Sequence, residues 1–194
     1  MKISILLPYK ENFSPDYPGA VSIFLNSVSK LSKYRKNIIV FGSTNYKNKY
    51  NIKYQNIEIS NKILGLGSQT IKYIDKFILL ETKRKSDIIE VHNRPLYIQL
   101  LPNTGASKIL YFHNDPLTMA GSKSISERES LLKSCSKIIF NSNWSKNRFL
   151  SEIKSIYIKS NKLSVIHQST NKLKINLKKK KKIITFVGKL NKAK

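Results

Sequence analysis

At 194 residues the chain has room for one domain with a full core and not for two of ordinary α/β size. Hydrophobic residues make up 40% of it and include 10 Tyr and 8 Phe, which argues against a disordered basic tail, although 36 Lys plus Arg against 11 Asp plus Glu leave a formal net charge of +25. The single cysteine, Cys135, excludes an internal disulfide, and no Cys/His cluster has the spacing of a zinc site.

The chain opens on Met1 to Pro8, a short apolar run ended by proline; it is shorter than the ~7–15 apolar residues of a signal-peptide core and reads as a first strand. Further apolar runs at Ile38 to Phe41, Ile88 to Val91, Ile109 to Phe112 and Ile138 to Phe140 are continuous rather than alternating, the pattern of strands buried on both faces, and Leu163 to Ile166 reads as a sixth strand. Between them lie stretches of helical period. Val21, Phe24, Leu25, Val28 and Leu31 form one apolar stripe, and Ile71, Ile74, Ile78 and Leu79 another. Ser126 with Glu129 predicts a capping box ahead of Leu131, Leu132 and Cys135. Strands alternating with helices imply right-handed crossovers and hence a doubly wound, parallel, Rossmann-like α/β sheet, predicted over residues 1–170.

After this the composition changes. Residues 171–182 are polar and end in five consecutive lysines, which predicts a solvated linker, and Ile183 to Gly188 reads as a new strand and turn. A lone strand cannot bury both faces, so 183–194 is expected to be the first piece of a second domain cut short. No apolar stretch approaches the ~20 residues that cross a bilayer, so any membrane contact is expected to be peripheral.

In a doubly wound sheet, ligands sit beyond the carboxyl ends of the strands. His92 and His113 both fall at such ends, in Val91-His92-Asn93-Arg94-Pro95 and Phe112-His113-Asn114-Asp115-Pro116, where an imidazole can bond a sugar hydroxyl, stabilise a developing charge, or simply hold a loop. Gly19, at the start of the first helix, allows close backbone approach, and free N–H groups there attract phosphate, yet no G-x-G-x-x-G fingerprint is present. Asp115, Asp16, Glu11, Asp75 and Glu90 stand as isolated carboxylates. With no G-x-S-x-G, P-loop or H-E-x-x-H, hydrolytic and ATP-dependent chemistry lose ground.

The ordered set Ile3 to Pro8, Pro18-Gly19-Ala20, Asp87 to Asn93, Ile109 to Asn114, Lys137 to Ser145, Val165-Ile166 and Ile184 to Lys194 resembles the retaining GT-B glycosyltransferases of family 4. The resemblance implies the first domain of such an enzyme, with the second truncated. It implies sugar transfer from a nucleotide-diphosphate donor to a glycan or lipid-linked acceptor, without cofactor or metal. The setting it implies is cell-surface polysaccharide or lipopolysaccharide assembly, in the cytoplasm, with peripheral contact to an anionic membrane. Under it, His113 contacts the donor sugar, Gly19 and Ala20 lie near the diphosphate, and Lys189 and Lys194 neutralise that diphosphate as it leaves; His92, Asn93 and Asn114 are candidate substrate contacts from their place at the strand ends. This piece alone is expected to be inactive. Two alternatives stay open: a basic nucleic-acid module using Lys and Tyr, and a short acceptor- or lipid-binding protein. Specific nucleic-acid binding is not expected, because the charge is spread evenly and draws no groove.

Overall fold

The computed structural model describes residues 1–59, 68–153 and 161–169. In chain order these form β1 (Ile3–Leu6), α1 (Ala20–Leu31), β2 (Ile38–Gly42), β3 (Tyr54–Asn56), α2 (Gln69–Arg84), β4 (Ile88–His92), α3 (Pro95–Leu100), β5 (Ser107–Phe112), α4 (Ile125–Ser134), β6 (Lys137–Phe140), α5 (Asn143–Leu150) and β7 (Leu163–Val165). The strands make one seven-stranded sheet in the order β3-β2-β1-β4-β5-β6-β7, and every pairing is parallel. This is the doubly wound, Rossmann-like arrangement predicted from the alternating pattern. The order reverses between β1 and β4, which places the ligand crevice beyond Leu6 and His92.

Continuous apolar strands follow from this geometry, since successive side chains enter opposite layers. Ile5 and Leu7 pack with Val21, Leu25, Ile38 and Val40, whereas Leu6 joins Phe41, Tyr73, Phe77, Ile89 and Val91 on the other side. The short strand β3 has the sequence Tyr-Gln-Asn, with no apolar run to announce it, and exists because it pairs with β2 at the sheet edge. The hexapeptide α3 starts on Pro95, whose fixed φ and missing N–H suit a first helical position.

Both predicted helical stripes are rotated in the structure. In α1, Val21 and Leu25 are buried, Phe24 is half-buried, and Val28 and Leu31 are exposed. In α2 the buried face is Tyr73, Ile74, Phe77 and Glu81, while Ile71 and Leu79 point outward. The aromatic rings fill the layer, and the Tyr73 hydroxyl donates to the Leu7 carbonyl at 3.0 Å, a bond that an aliphatic stripe could not supply. Glu81 takes a core position because each of its carboxylate oxygens has a donor: it accepts from the Ser4 hydroxyl and the Ser86 N–H, each at 2.6 Å. The capping box of α4 uses Ser124 and Glu127 rather than Ser126 and Glu129: Ser124 Oγ accepts from Glu127 N at 3.2 Å and Glu127 Oε2 accepts from Ser124 N at 2.9 Å. The helix begins two residues earlier than predicted, and Ser126 bonds the Ser124 hydroxyl instead.

Among the described residues no helix is long and apolar enough to cross a membrane. The predicted linker at 171–182 and the second-domain strand at 183–194 lie outside the described residues.

Candidate functional site

Period two along neighbouring strands builds the site. Glu90 and His92 share one face of β4, Tyr111 sits opposite His92 on β5, and His113 follows two residues after Tyr111. The four side chains therefore line one face of the sheet at its carboxyl edge. The rings stack: Tyr111 on His113 with centroids 4.4 Å apart and planes 11° apart, and Tyr111 on His92 at 5.5 Å. Phe24 of α1 closes the stack edge-on, 5.1 Å from His113 and 5.3 Å from Tyr111, so the helix that follows the first loop is packed directly against the histidines.

Hydrogen bonds hold His113 on every side. Its backbone N–H donates to Asn93 Oδ1 at 2.7 Å, and its carbonyl accepts from Asn141 Nδ2 at 2.7 Å. Its Nε2 lies 2.8 Å from His92 Nδ1, and its Nδ1 lies 2.5 Å from the Gln168 side-chain nitrogen. His92 Nε2 in turn lies 2.6 Å from Glu90 Oε1. Burial, reinforced by the neighbouring His92 ring, pushes the His113 pKa down to about 3. At neutral pH the imidazole is uncharged, so it orients polar groups and does not stabilise developing negative charge through a charge of its own.

Asn93 has φ 51°, a left-handed conformation that asparagine tolerates, and this turns its side chain back under His113. It supports the ring's backbone rather than facing a ligand directly. Asn114 is exposed beside it, and His167 is exposed beyond β7. Asp115 accepts from Leu117 N and pairs with Arg148 at 3.2 Å, so it caps a turn. Lys189 and Lys194 lie outside the described residues.

Glu90 is not isolated. The alternation Glu-x-His on one strand could have revealed it, because residues two apart share a face. Asn141 follows the end of β6, where its position in this topology marked it for inspection, whereas Gln168 and Phe24 came into the site through tertiary contacts with no local signal. Glu11 is the other missed residue: its Oε1 accepts from Ser22 N at 3.1 Å, placing a carboxylate on the free N–H groups that open α1. Gly19 makes the room for it. A Cβ there would lie 2.0 Å from Glu11 Oε1.

Beyond the ends of β1, β2 and β3 lies an open, polar cavity of ≈ 850 Å³, lined by Tyr9, Asn12, Thr44, Tyr46 and Asn56 among others, with Lys10, Lys47 and Lys49 at its walls. Among the described residues no His, Cys, Asp and Glu group could hold a metal ion. Cys135 is buried, and burial pushes its thiol up to about 12, which makes it a core residue rather than a nucleophile.

The fold and the site together define a Rossmann-like domain with a hydrogen-bonded histidine pair at the carboxyl edge of a parallel sheet. No family model matches the chain, and no curated protein matches it. Solved structures do. Anabaena HepE in complex with UDP-glucose is similar with a TM-score of 0.56 at 14% identity, over 88% of this chain and 45% of that one, and its complex with UDP gives 0.54 over the same shares. UDP-N-acetylglucosamine 2-epimerase from Rickettsia bellii is similar at 0.54 and 11% identity, over 85% of this chain and 44% of that one. The chain thus spans less than half the length of these structures. At such identities the likeness shows a shared fold.

Proposed function

We propose that this chain is the acceptor-side domain of a GT-B sugar-nucleotide enzyme, in the first instance a retaining glycosyltransferase that moves a sugar from a nucleotide diphosphate to a glycan or lipid-linked acceptor. The observation that carries the reading is the neutral His113, clamped at the carboxyl edge of β5 and packed against the helix whose N-terminus follows Gly19. A neutral imidazole on a backbone bonded from both sides suits a sugar hydroxyl, and a helix start suits a diphosphate. The fold neighbours support it, since HepE was captured with UDP-glucose and with UDP. The cavity beyond β1 to β3 is the proposed place of the acceptor.

The reading assigns half of a cleft to this chain, so residues 1–194 alone are expected to show no sugar transfer at an enzymatic rate. A longer protein that adds a second Rossmann-like domain is expected to transfer a radiolabelled sugar from a UDP-, GDP- or ADP-sugar. Turnover by 1–194, or none by the longer protein with a panel of donors, would sink the proposal.

Glu11 gives a second check. Its carboxylate holds the seat proposed for the diphosphate. Glu11→Gln keeps an oxygen for Ser22 N but removes a charge worth about 0.3–1 kcal/mol at a helix start. Calorimetric titration of the longer protein with UDP should show affinity raised by roughly two- to fivefold. Unchanged or weaker binding would place the diphosphate elsewhere.

A further inference from the structure

Glu90, His92, His113 and Gln168 form one unbroken chain of side-chain hydrogen bonds, at 2.6, 2.8 and 2.5 Å. Such a chain has a direction. A carboxylate has only acceptor atoms and an amide nitrogen only donates, whereas a neutral imidazole offers one N–H and one lone pair. The amide nitrogen of Gln168 faces His113 Nδ1, and in that orientation Nδ1 carries the lone pair. The His113 proton then resides on Nε2 and is donated to His92 Nδ1. That leaves the His92 proton on Nε2, where it is donated to Glu90. Starting from Glu90 gives the same result. With both rings neutral, it is the one placement of protons in which each contact has a single donor and a single acceptor.

We infer that Glu90 and His92 are positioning residues that lock the tautomer of His113, so that His113 presents its Nδ1 as a hydrogen-bond acceptor to a hydroxyl of the bound sugar. The amide of Gln168 sits at that place. The inference rests on the sugar-nucleotide reading for the identity of the ligand, but the direction of the chain does not.

Three features favour this polarity. The only N–H of a neutral His113 is spent on His92 and is not available to a leaving phosphate. The ring of His92 is completely buried and stacked on Tyr111, so it cannot turn over to offer its other nitrogen without unpacking the site. Burial also keeps His113 unprotonated across the working pH range of most enzymes, so its lone pair persists. An imidazole with so little affinity for a proton does not deprotonate an alcohol. It orients the sugar by accepting one hydrogen bond. A sugar that lacks that hydroxyl, or carries a methyl ether in its place, leaves the lone pair unmet and should bind about 5- to 150-fold more weakly.

The chain has three histidines, so its ring nitrogens can be assigned in a histidine-selective ¹⁵N spectrum. In residues 1–194 without ligand, His113 is expected to be neutral with hydrogen on Nε2. Hydrogen on Nδ1 would overturn the inference with no variant needed. In Glu90→Gln the new amide can donate to His92 Nε2, the direction is no longer forced, and part of the His113 population should move its proton to Nδ1 while the circular dichroism spectrum stays unchanged. An unaltered tautomer in a folded Glu90→Gln protein would remove Glu90 from the role. Addition of UDP-glucose to the longer protein should shift His113 Nδ1 with the tautomer retained; a switch to Nδ1–H on binding would contradict the acceptor role. Failure of every sugar nucleotide to bind would instead count against the functional reading and leave the direction of the chain as measured.

Discussion

Under the proposed function, replacing His113 with alanine is expected to lower kcat for sugar transfer by roughly ten- to a thousandfold in a longer protein that carries the second domain, the range for removing one positioned catalytic hydrogen bond. The fold should survive, because the backbone clamp on His113 comes from Asn93 Oδ1 and Asn141 Nδ2, which bond its N–H and C=O and not its ring. The ring itself is lost from a stack with Tyr111 and Phe24, so a modest fall in melting temperature should accompany the change. His113→Asn, which offers a side-chain oxygen as acceptor, should recover part of the activity. The pKa gives a further signature. Because the folded value is depressed to about 3, the group stays neutral from about pH 5 upward, and the rate profile of the parent should carry no ionisation of His113 in that range. Full activity in the alanine variant with several degrees of lost stability would mean that His113 only holds its loop.

The largest loss of stability is expected from Gly121→Ala. Gly121 has φ 90°, which L side chains rarely adopt, and a Cβ built on it would lie 2.4 Å from the Leu96 backbone nitrogen and 2.6 Å from its Cα. Backbone of α3 cannot move aside as a flexible side chain would, and Leu96 N also donates to the Ala120 carbonyl in the same turn. Local strain of about 1–3 kcal/mol and overpacking of a similar size should together cost about 3 kcal/mol or more. For a domain of this length that corresponds to a fall in Tm of roughly 6–12 °C. Gly105→Ala is the internal comparison. Gly105 has φ 82° but nothing within 4 Å of its Cβ direction, so it carries the strain without the clash and should fall by much less. Equal losses in the two variants in thermal melts would show that the backbone angle, and not contact with α3, decides the cost.

The parallel sheet was legible because burial on both faces writes itself as uninterrupted Ile, Leu, Val and Phe. β2, β5 and β6 contain such runs, β1 and β4 each break theirs with one polar residue, Ser4 and Glu90, and β7 is only Leu-Ser-Val at the sheet edge opposite β3. β3 has no such run, since a polar edge strand is stabilised by pairing with β2 and not by its own composition. Helical stripes were legible as helices but not in their rotation. The outward turn of Leu31 and Leu79 depends on which aromatic rings reach the sheet, a property of the partner layer. His92 and His113 could be singled out because strand ends in this topology face the crevice. Their coupling to each other could not, because 21 residues separate them and register sets the distance. Glu90 sits between these cases. Its face was fixed by its spacing from His92, yet a carboxylate inside a strand reads as isolated until the neighbouring imidazole is seen to need an acceptor.

Glu11 has a consequence for timing as well as for affinity. A carboxylate tethered a few residues from α1 is a resident competitor whose effective concentration is on the order of millimolar, however dilute the protein. Should a diphosphate take the seat at α1, each departure would be met at once by Glu11 returning to Ser22 N. Arrival, rather than residence time, is then the quantity the chain controls: Glu11 must give way before a diphosphate can enter, rebinding is slowed, and a spent nucleotide that has left returns less readily than it would to an open helix N-terminus.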